Sequence, residues 1–506
     1  MPVVLPEKLP ESIDECHALL RELTRDNFQL LARIEHLLRK LFGRKAERLS
    51  DEENTFLKEL FPQEESVEPQ APEPPAAEEA AQEDSTIKRR PGSRGLKSLA
   101  KDLPRQTIVH DLSAEQKVCA ECGCDKKRIG EETSEQLEYV PASLYVIEHV
   151  CPKYACPQCQ GQVAQGEKPA QPIEKGLPGP GLLAHVIVSK YADHLPLNRQ
   201  ESIFARYGVE LSRSTLCDWM MASAEALAPV VKEMRKRVLQ SFVIHTDDTS
   251  VPVQAKRKTR KCYLWTYLGD EANPYIIYDF TETRGRAGPE AFLEKYQGYL
   301  QADAYGGYDK LYNEKPIREV ACMAHARRKF FEAKQTDPLR AGIALLRIRA
   351  LYDLERLAKD RAPETRKALR THTAARLLNT FHKWLVAERD AVLPKSPISQ
   401  AIAYALANWR ALCRYLCDGR LAIDNNAAER ALRACVVGRK NWMFCGSERG
   451  GHAAAILYSL TQSAKRNGLD PFAYLRDLLR LIPTHPQSRI GELLPDAWKS
   501  DALAET

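Results

Sequence analysis

The stretch "SFVIHTDDT", residues 241–249, decides the fold, because a short β-rich run ends there in two acidic residues. Two further strand patterns follow in "KCYLWTYLG" and "PYIIYDFTET", then a helix pattern in "GPEAFLEKYQ" and a fourth strand in "GYLQADAYGGY". Three strands, a helix, a strand and later helices form the order of a ribonuclease H-like domain. In that fold the first and fourth strands are neighbours, which predicts that Asp247 lies beside Asp303.

A third acidic residue stands in "AIDNNAAERALR", residues 422–433. Asp424 is a suitable N-cap, since its carboxylate can accept from the free N–H groups of a first helical turn. Taken alone, Glu429 is expected to form an i,i+4 ion pair with Arg433, worth a few tenths of a kcal/mol. In a ribonuclease H-like domain, however, a later helix crosses the first and fourth strands and brings Glu429 to face the two aspartates.

Three converging carboxylates repel one another unless cations lie between them. Two Mg²⁺ ions, which prefer oxygen ligands, suit such a cluster, and Mn²⁺ is a possible replacement. A pair of ions roughly 4 Å apart can activate a water or a 3′-hydroxyl and stabilise the leaving oxygen of a phosphoryl transfer. The sequence thus predicts catalytic, metal-binding roles for Asp247, Asp303 and Glu429.

The N-terminal segment, residues 1–48, has the heptad pattern of a coiled coil, with leucines at d positions and Asn27 at an a position. We expect self-association through residues 11–41; the alternative is an amphipathic helix packed on its own protein. Residues 49–105 form an acidic, proline-rich linker and then a basic arm, "KRRPGSRGLKSLAK". Its Arg89 and Arg90 are candidate DNA contacts, although a solvated tail is an equal alternative.

Two C-x-x-C pairs, "CAEC" and "CPQC", lie in a predicted zinc-ribbon domain, residues 106–175. Four cysteines suit one closed, structural Zn²⁺ site, and a redox site would need only one pair. The alternating pattern in "QLEYVPASLYVIEHV" predicts a strand pair that carries the second C-x-x-C pair. Cys124 and Cys151 flank these pairs and are possible substitute ligands. The predicted zinc ligands are Cys119, Cys122, Cys156 and Cys159.

Residues 176–232 have the pattern of a helix-turn-helix DNA-binding domain around "RYGVELSRSTLCDW". Gly208 ends one helix and Ser212 caps the next. A helix-turn-helix offers the first turn of its second helix to the major groove, although helix pairs of this shape are common. The candidate DNA contacts in that turn are Arg213, Ser214 and Thr215.

Length, charge and composition restrict the class of protein. The 506 residues have room for several domains, and the net charge of +6 permits nucleic-acid binding. There is no 18-residue apolar run, and "MPVVLPEKLPESIDEC" lacks a signal-peptide core. We therefore expect a cytoplasmic, nucleoid-associated protein with no membrane partner, in which the 14 cysteines are thiols or metal ligands.

From "LFGRKAERLS" onward the chain resembles the transposases of the IS66 insertion-sequence family (large DDE subunit). The resemblance runs through the cysteine pairs, "HTDDTSVPV", "LQADAYGGYDKLY", "CMAHARRKFFEA" and the long block from "IDNNAAERALRACVVGRKNWMFCGSERGG". It implies that Asp247, Asp303 and Glu429 form the acidic triad. Asp248 stands where the family commonly has glutamate, which leaves open whether Asp247 or Asp248 is the first metal ligand.

The resemblance implies a transposase that cleaves the ends of an insertion sequence and joins the 3′-hydroxyls to target DNA. It also implies small accessory proteins encoded by the same element as possible partners. Two alternatives remain open: another ribonuclease H-like DNA nuclease, and a non-catalytic DNA-binding protein derived from a transposase. A strand-transfer assay separates the first from a transposase, and the intact triad argues against the second.

Further basic residues around the predicted catalytic domain, residues 233–445, are candidate phosphate contacts, with a solvated basic helix as the alternative. Trp442 is a candidate for base stacking, and a core position is its alternative. We expect a helical insertion at about 326–420 and a helical C-terminal segment, residues 446–506. The fold class is thus multidomain α+β. The basic candidates are His325, Arg327, Arg328, Arg439 and Lys440.

Overall fold

The computed structural model describes residues 124, 143–154, 164–166, 168–174, 176–256 and 258–498. These residues fall into two units, and one of them contains only residues 124 and 143–147. Every element described below belongs to the other unit. The predicted coiled coil, the linker and arm with Arg89 and Arg90, and the four zinc cysteines lie outside the described residues.

The zinc-ribbon region contains two short antiparallel strands, β1 (Lys153–Tyr154) and β2 (Ala164–Gln165). The second C-x-x-C pair falls between them in the sequence. The predicted strand pair in "QLEYVPASLYVIEHV" is wrong for its described part, because residues 143–150 form no strand. Their apolar side chains have no surface to cover them, and Val146 is 92% exposed. Alternation without a buried face is insufficient to form a strand.

Three helices precede the main sheet: α1 (Pro180–Tyr191), α2 (Leu197–Arg206) and α3 (Arg213–Val238). Gly208, with a φ of +77°, ends the first of the two predicted helix-turn-helix helices. Ser212 caps α3 as predicted, and its Oγ accepts the Thr215 N–H at 3.2 Å. The helices share one apolar core with the sheet, including the fully buried Leu183, Leu227, Met234 and Ile244. The segment is therefore packed onto the sheet rather than separate from it.

The main sheet has five strands in the order β5-β4-β3-β6-β7. The first three are joined antiparallel, whereas β6 and β7 continue parallel to β3. The predicted neighbours, the first and fourth strands along this domain, lie side by side. The bounds are β3 (Val243–Ala255), β4 (Lys258–Leu268), β5 (Ile276–Thr281), β6 (Gly298–Ala302) and β7 (Ile317–Ala321). Short helices α4 (Ala287–Phe292) and α5 (Asp309–Glu314) connect them.

Residues after β7 form a helical subdomain, as the predicted insertion requires. Its helices bury a second apolar cluster, in which Phe330, Phe381 and Ile402 are almost fully buried. A π-helical turn, Arg370–Ala374, joins two of them. The two ends of the subdomain meet where the Met323 N–H donates to the Ile423 carbonyl at 3.0 Å. The helices are α6 (Met323–Ala333), α7 (Pro338–Leu357), α8 (Pro363–Leu369), α9 (Ala375–Arg389), α10 (Pro397–Ala407) and α11 (Trp409–Leu412).

The chain then returns through α12 (Asn426–Trp442), followed by the C-terminal helices α13 (Glu448–Arg466) and α14 (Pro471–Leu481). Helix α13 covers the edge strand β5. Its Ser459 and Ser463 hydroxyls accept the N–H groups of Tyr278 and Ile276 at 2.8 and 2.9 Å. Two backbone donors of an edge strand are thereby satisfied, which protects that edge from pairing with another chain.

Within the described part of the chain, every helix is too short or too polar to cross a membrane.

Candidate active site

The register of β3 against β6 brings two aspartates to one edge of the sheet. His245 is the last β3 residue paired with β6, opposite Gln301. Asp247 and Asp303 each follow two residues later, so they lie at the same level. Asp247 is still within β3, opposite Thr266 of β4, whereas Asp303 directly follows β6. The Asp303 Oδ1 accepts the Tyr305 N–H at 3.1 Å, which fixes its direction. The sequence prediction that these aspartates are neighbours is therefore supported by the strand register.

Asp247 carries a negative charge that its surroundings oppose. Its pKa is raised from 3.8 to about 7, chiefly by burial, and the nearby charges of Asp303, Asp248 and Glu429 contribute to the rise. The N–H of Asp248 donates to its Oδ1 at 2.8 Å and opposes this shift only in part. Three predicted site carboxylates are thus close enough to repel one another, although they lie far apart along the chain.

Asp248, in contrast, has its charge balanced. The Arg284 Nε donates to both of its carboxylate oxygens at 3.0 Å, and one Nη lies 2.9 Å from Oδ1. The Arg284 guanidinium also lies 4.3 Å from the centre of the Tyr305 ring. Burial raises the pKa of Asp248, and Arg284 opposes that rise. The two adjacent aspartates therefore have different partners.

Glu429 stands in the first turn of α12. One prediction about this helix is wrong. The N-cap is Asn425, because the helix begins one residue later than predicted; Asp424 instead accepts the Asn426 N–H at 3.1 Å. The alternative for Glu429, an i,i+4 ion pair with Arg433, is not formed among the described residues; instead the His325 Nδ1 lies 3.8 Å from the Glu429 Oε1.

A tighter group of ligand atoms lies beside the carboxylates. Atoms of Cys322, His325 and Glu429 are all within 4.8 Å of one another, and the three carboxylates are not gathered as closely. Burial raises the pKa of the Cys322 thiol to about 11, and its Sγ accepts the Asn425 N–H at 3.1 Å. A protonated thiol that serves as a backbone acceptor is a poor ligand, which leaves His325 and Glu429 from this group.

The donor set at this edge fits divalent ions with oxygen ligands. Asp247, Asp303 and Glu429 contribute three carboxylates, and Arg284 balances only Asp248. Carboxylate oxygens are the preferred ligands of Mg²⁺ and Mn²⁺.

The basic candidates on α6 differ in exposure. His325 is half-buried, and its Nδ1 has no hydrogen-bond partner. Arg327 is half-buried, with its guanidinium 6.0 Å from the Phe331 ring centre. Arg328 is exposed. The structure therefore brings His325 to the carboxylates and leaves Arg328 open to solvent.

The basic candidates on α12 have separate positions. The Arg439 Nη1 donates to the Thr249 Oγ1 at 2.9 Å and to the Ser250 carbonyl, so it joins α12 to β3. Lys440 is exposed. Trp442 is half-buried against the main core, with the Lys190 Nζ 5.6 Å from its ring centre.

At the start of α3, Arg213 and Ser214 are exposed and Thr215 is half-buried. The Ser212 hydroxyl bonds to both the Ser214 and Thr215 hydroxyls, at 2.8 and 2.9 Å. The Arg213 side chain is thus the most accessible group of this turn for contact with a ligand.

Sequence reasoning missed three residues around the site. Arg284 has no signal in its local sequence, because its partner Asp248 is 36 positions away. The Tyr404 hydroxyl, from the helical subdomain, donates to the Asp303 carbonyl at 3.2 Å. Asn425 was part of the quoted "DNN", and an asparagine directly before a helix is a recognisable capping signal.

Comparison with protein families then gives a direct result. The model described as "Transposase IS66 family" matches residues 175–453, which include the main sheet, the helical subdomain and α12. This chain belongs to the IS66 transposase family. The family's zinc-finger model matches residues 116–160, which contain all four predicted zinc cysteines, and its C-terminal element matches residues 459–495. A fourth model, "Transposase C of IS166 homeodomain", matches residues 29–108.

These matches refine the domain organisation of this IS66-family chain. The predicted helix-turn-helix segment, residues 176–232, falls inside the transposase match rather than before it. The homeodomain match begins within the predicted coiled coil and ends beyond the basic arm that carries Arg89 and Arg90.

Relatives of similar length cover nearly the whole chain. The chain is 34% identical to "Uncharacterized protein y4hP" of Sinorhizobium fredii over 93% of its own length and 89% of the relative. It is 33% identical to "Uncharacterized protein y4jD" of the same organism over 99% of both chains. A third relative, "Uncharacterized protein y4qI", is 36% identical over 77% of this chain and 75% of its own length.

Proposed function

We propose that this IS66-family chain cleaves DNA at the ends of an insertion sequence and joins the exposed 3′-hydroxyls to target DNA. The observation that carries this proposal is the uncompensated carboxylate cluster, Asp247, Asp303 and Glu429, at the edge of the sheet. A pKa of about 7 for Asp247 is costly for a site that only maintains the fold. It is expected where divalent ions are to be bound against a DNA phosphodiester.

Asp247, Asp303 and Glu429 would hold two Mg²⁺ ions, for which Mn²⁺ can substitute. When bound, such ions activate a water or a 3′-hydroxyl and stabilise the leaving oxygen. The three side chains supply oxygen ligands at fixed positions, and both cleavage and joining use the same geometry. No histidine base is required, because a bound divalent ion would itself lower the pKa of the attacking water or hydroxyl.

Asp247 is proposed as the first metal ligand in preference to Asp248. Arg284 already occupies both oxygens of Asp248, and the Asp248 carboxylate is only 7% exposed. Asp247 has a single backbone donor and faces the other two carboxylates. The role of Asp248 is then to fix Arg284 beside Tyr305.

DNA contacts are proposed at several basic positions. Near the carboxylates, His325, Arg327 and Arg328 would contact phosphates. Arg439 is less suited, because its Nη1 already donates to β3, whereas Lys440 is exposed. The remaining proposed DNA contacts are Arg89, Arg90, Arg213, Ser214 and Thr215.

The zinc-finger match supports one structural Zn²⁺ held by the two C-x-x-C pairs, Cys119, Cys122, Cys156 and Cys159. Self-association through residues 11–41 and a requirement for small accessory proteins of the same element are further parts of the proposal. Metal analysis of fresh protein tests the zinc site: about one zinc per chain is expected, and none in a chain that lacks Cys156 and Cys159.

The test of the proposed reaction uses the full chain, Mg²⁺, and DNA carrying the inverted repeats that flank its gene. Neighbouring small proteins of the element are included. Cleaved ends joined to a target plasmid support a transposase. Cleavage without joining, even when precut ends are supplied, identifies another ribonuclease H-like nuclease. Binding without either reaction identifies a DNA-binding derivative and overturns the proposal.

A further inference from the structure

We infer that Asn425 is a positioning residue that holds α12 in the one placement where Glu429 faces Asp247 and Asp303. This inference rests on the proposed metal-binding role of the three carboxylates. Asn425 is fully buried, directly precedes α12, and is not itself placed to bind an ion, because its side chain is turned into the protein.

Every polar group of Asn425 that points inward has a partner. Its Nδ2 donates to the Thr246 carbonyl at 2.8 Å, and its Oδ1 lies 3.2 Å from the His245 Nδ1. Its backbone N–H donates to the Cys322 Sγ at 3.1 Å. One residue therefore joins the start of α12 to the first half of β3 and to the residue after β7.

Only an amide side chain of this length matches both partners on β3. The Thr246 carbonyl needs a donor, and the amide oxygen is then left to accept from the His245 Nδ1–H. An alanine would leave both groups buried without partners. An aspartate would set a carboxylate oxygen against the Thr246 carbonyl. The chemistry of the pocket is thus specific for asparagine.

A second amide completes the same connection. The Gln301 Nε2 donates to the carbonyls of Ala422 and Asp424, at 2.8 and 2.9 Å, and it is also fully buried. Gln301 lies two residues before Asp303, and Thr246 lies one residue before Asp247. The hydrogen bonds that fix α12 are therefore made by residues of β3 and β6 that lie one and two positions before the two aspartates.

The consequence is a fixed separation of the three carboxylates before any ion binds. Ligand oxygens must be placed within a few tenths of an ångström for divalent ions, and Mg²⁺ demands near-ideal octahedral geometry. Loss of residues that orient metal ligands typically reduces metal affinity 10- to 100-fold. Asn425 should therefore influence metal affinity without touching the metal.

The experiment is a Mn²⁺ titration of the full chain, with free Mn²⁺ read by electron paramagnetic resonance. Asn425→Ala is expected to raise the Mn²⁺ Kd by about tenfold or more. The matched control is Asn467→Ala. The Asn467 Nδ2 donates to the carbonyls of Pro274 and Ser463 at 2.9 and 2.8 Å, so its amide also joins two parts of the chain, but these are α13 and the β4–β5 loop. If the loss of a structural hydrogen bond were sufficient to weaken metal binding, both variants would show a higher Mn²⁺ Kd. On this inference only Asn425→Ala does, and Asn467→Ala keeps the wild-type Kd.

Urea unfolding of each variant confirms that folded protein is titrated. If Asn425→Ala does not fold, Asn425→Ser retains one hydroxyl donor and a favourable capping residue, and a rise of about threefold is expected. A wild-type Mn²⁺ Kd in a folded Asn425 variant overturns the inference. If Asp303→Asn binds Mn²⁺ as tightly as the wild type, the proposed metal site itself is wrong, and the two failures are distinguished.

Discussion

Two charged groups in this protein, Arg370 and Asp247, have opposite electrostatic surroundings. Arg370, in the π-helical turn of the helical subdomain, is fully buried and fully paired. Its guanidinium donates to both Glu355 oxygens at 2.8 and 2.7 Å and to the carbonyls of Tyr415 and Asp418 at 2.9 and 2.8 Å. Asp247, at the sheet edge, instead faces two other carboxylates.

The difference separates a charge that maintains the fold from one that is available for function. A buried ion pair with complete hydrogen bonding holds elements in register, and removing one partner is costly. A buried carboxylate among like charges weakens the metal-free protein and stays reactive toward cations. Removal of the Arg370 charge should therefore destabilise the fold, whereas removal of a carboxylate beside Asp247 should reduce metal-dependent activity.

The largest effect is expected from Asp303→Asn at the sheet edge. The substitution removes a proposed metal ligand and should reduce Mg²⁺-dependent cleavage and joining by about 10⁴-fold, a loss of roughly 5 kcal/mol in transition-state stabilisation. The same change relieves repulsion with Asp247, so the metal-free protein should unfold at an equal or higher temperature. Strand-transfer rates and thermal melting measure the two quantities.

The matched control is Asp309→Asn, an exposed carboxylate in the first turn of α5. It should leave both rates and melting nearly unchanged. If Asp303→Asn retained cleavage, the carboxylates beside Asp247 would not be required for the reaction, and the contrast with Arg370 would be wrong.

The second effect concerns Arg370. Arg370→Met leaves the Glu355 carboxylate, which is 13% exposed, and two carbonyls without their donor. We expect a loss of about 3–5 kcal/mol in the free energy of unfolding of the subdomain. Urea unfolding followed by circular dichroism measures it.

Arg389→Met provides the comparison, since this exposed arginine pairs with the adjacent Asp390, and its loss should change the free energy of unfolding little. An Arg370→Met protein as stable as the wild type would contradict the assignment of this pair to the fold.

The third effect is on pH dependence. The pKa of Asp247 is about 7 in the folded protein and near 3.8 when unfolded, so the folded state binds this proton more tightly. Its contribution to stability is present below pH 4, falls between pH 4 and 7, and stays lost above pH 7. One such group changes the unfolding free energy by at most about 1.4 kcal/mol per pH unit.

The measurement is metal-free urea unfolding of wild type and Asp247→Asn across this range. The two should coincide at pH 4, and the wild type should become the less stable by pH 7. Added Mg²⁺ should restore the wild type above pH 7 and leave the variant unchanged. If the free energies of unfolding of wild type and variant kept a constant difference across this pH range, Asp247 would not have a raised pKa in the folded protein.

The smallest effect is expected at Asp248. Because Arg284 already neutralises it, Asp248→Asn should reduce strand transfer less than about tenfold, whereas Asp247→Asn should resemble Asp303→Asn. A matched pair of rate measurements decides which adjacent aspartate binds metal. Equal losses in both variants would place Asp248 in the metal site.

The strands themselves could be predicted because strand periodicity is a local pattern. The β3–β6 pairing is long-range, and it could be predicted only because the order of the elements matched a ribonuclease H-like domain. The sequence also identified Ser212 as the cap of α3 and Gly208 as the end of α2, because capping chemistry acts within one turn. The start of α12 was displaced by one residue, since a cap at Asp424 competed with one at Asn425.

Long-range partners could not be predicted. Nothing local to Arg284 reveals Asp248, and Tyr404 reaches Asp303 from a different apolar core. The strand pair expected from alternating residues failed because alternation shows only that one face is apolar. Whether another element covers that face depends on the rest of the fold.

The backbone hydrogen bond between Met323 and Ile423 has a consequence for engineering of the helical subdomain. It holds the two ends of the inserted chain together, so a moderate change in the length of the insert adds little loop-closure entropy. The insert also supplies the Tyr404 hydroxyl, which donates to the Asp303 carbonyl, and the Ala422 carbonyl, which accepts from Gln301. A graft must therefore keep these two contacts as well as the anchors if the spacing of the acidic side chains is to be preserved.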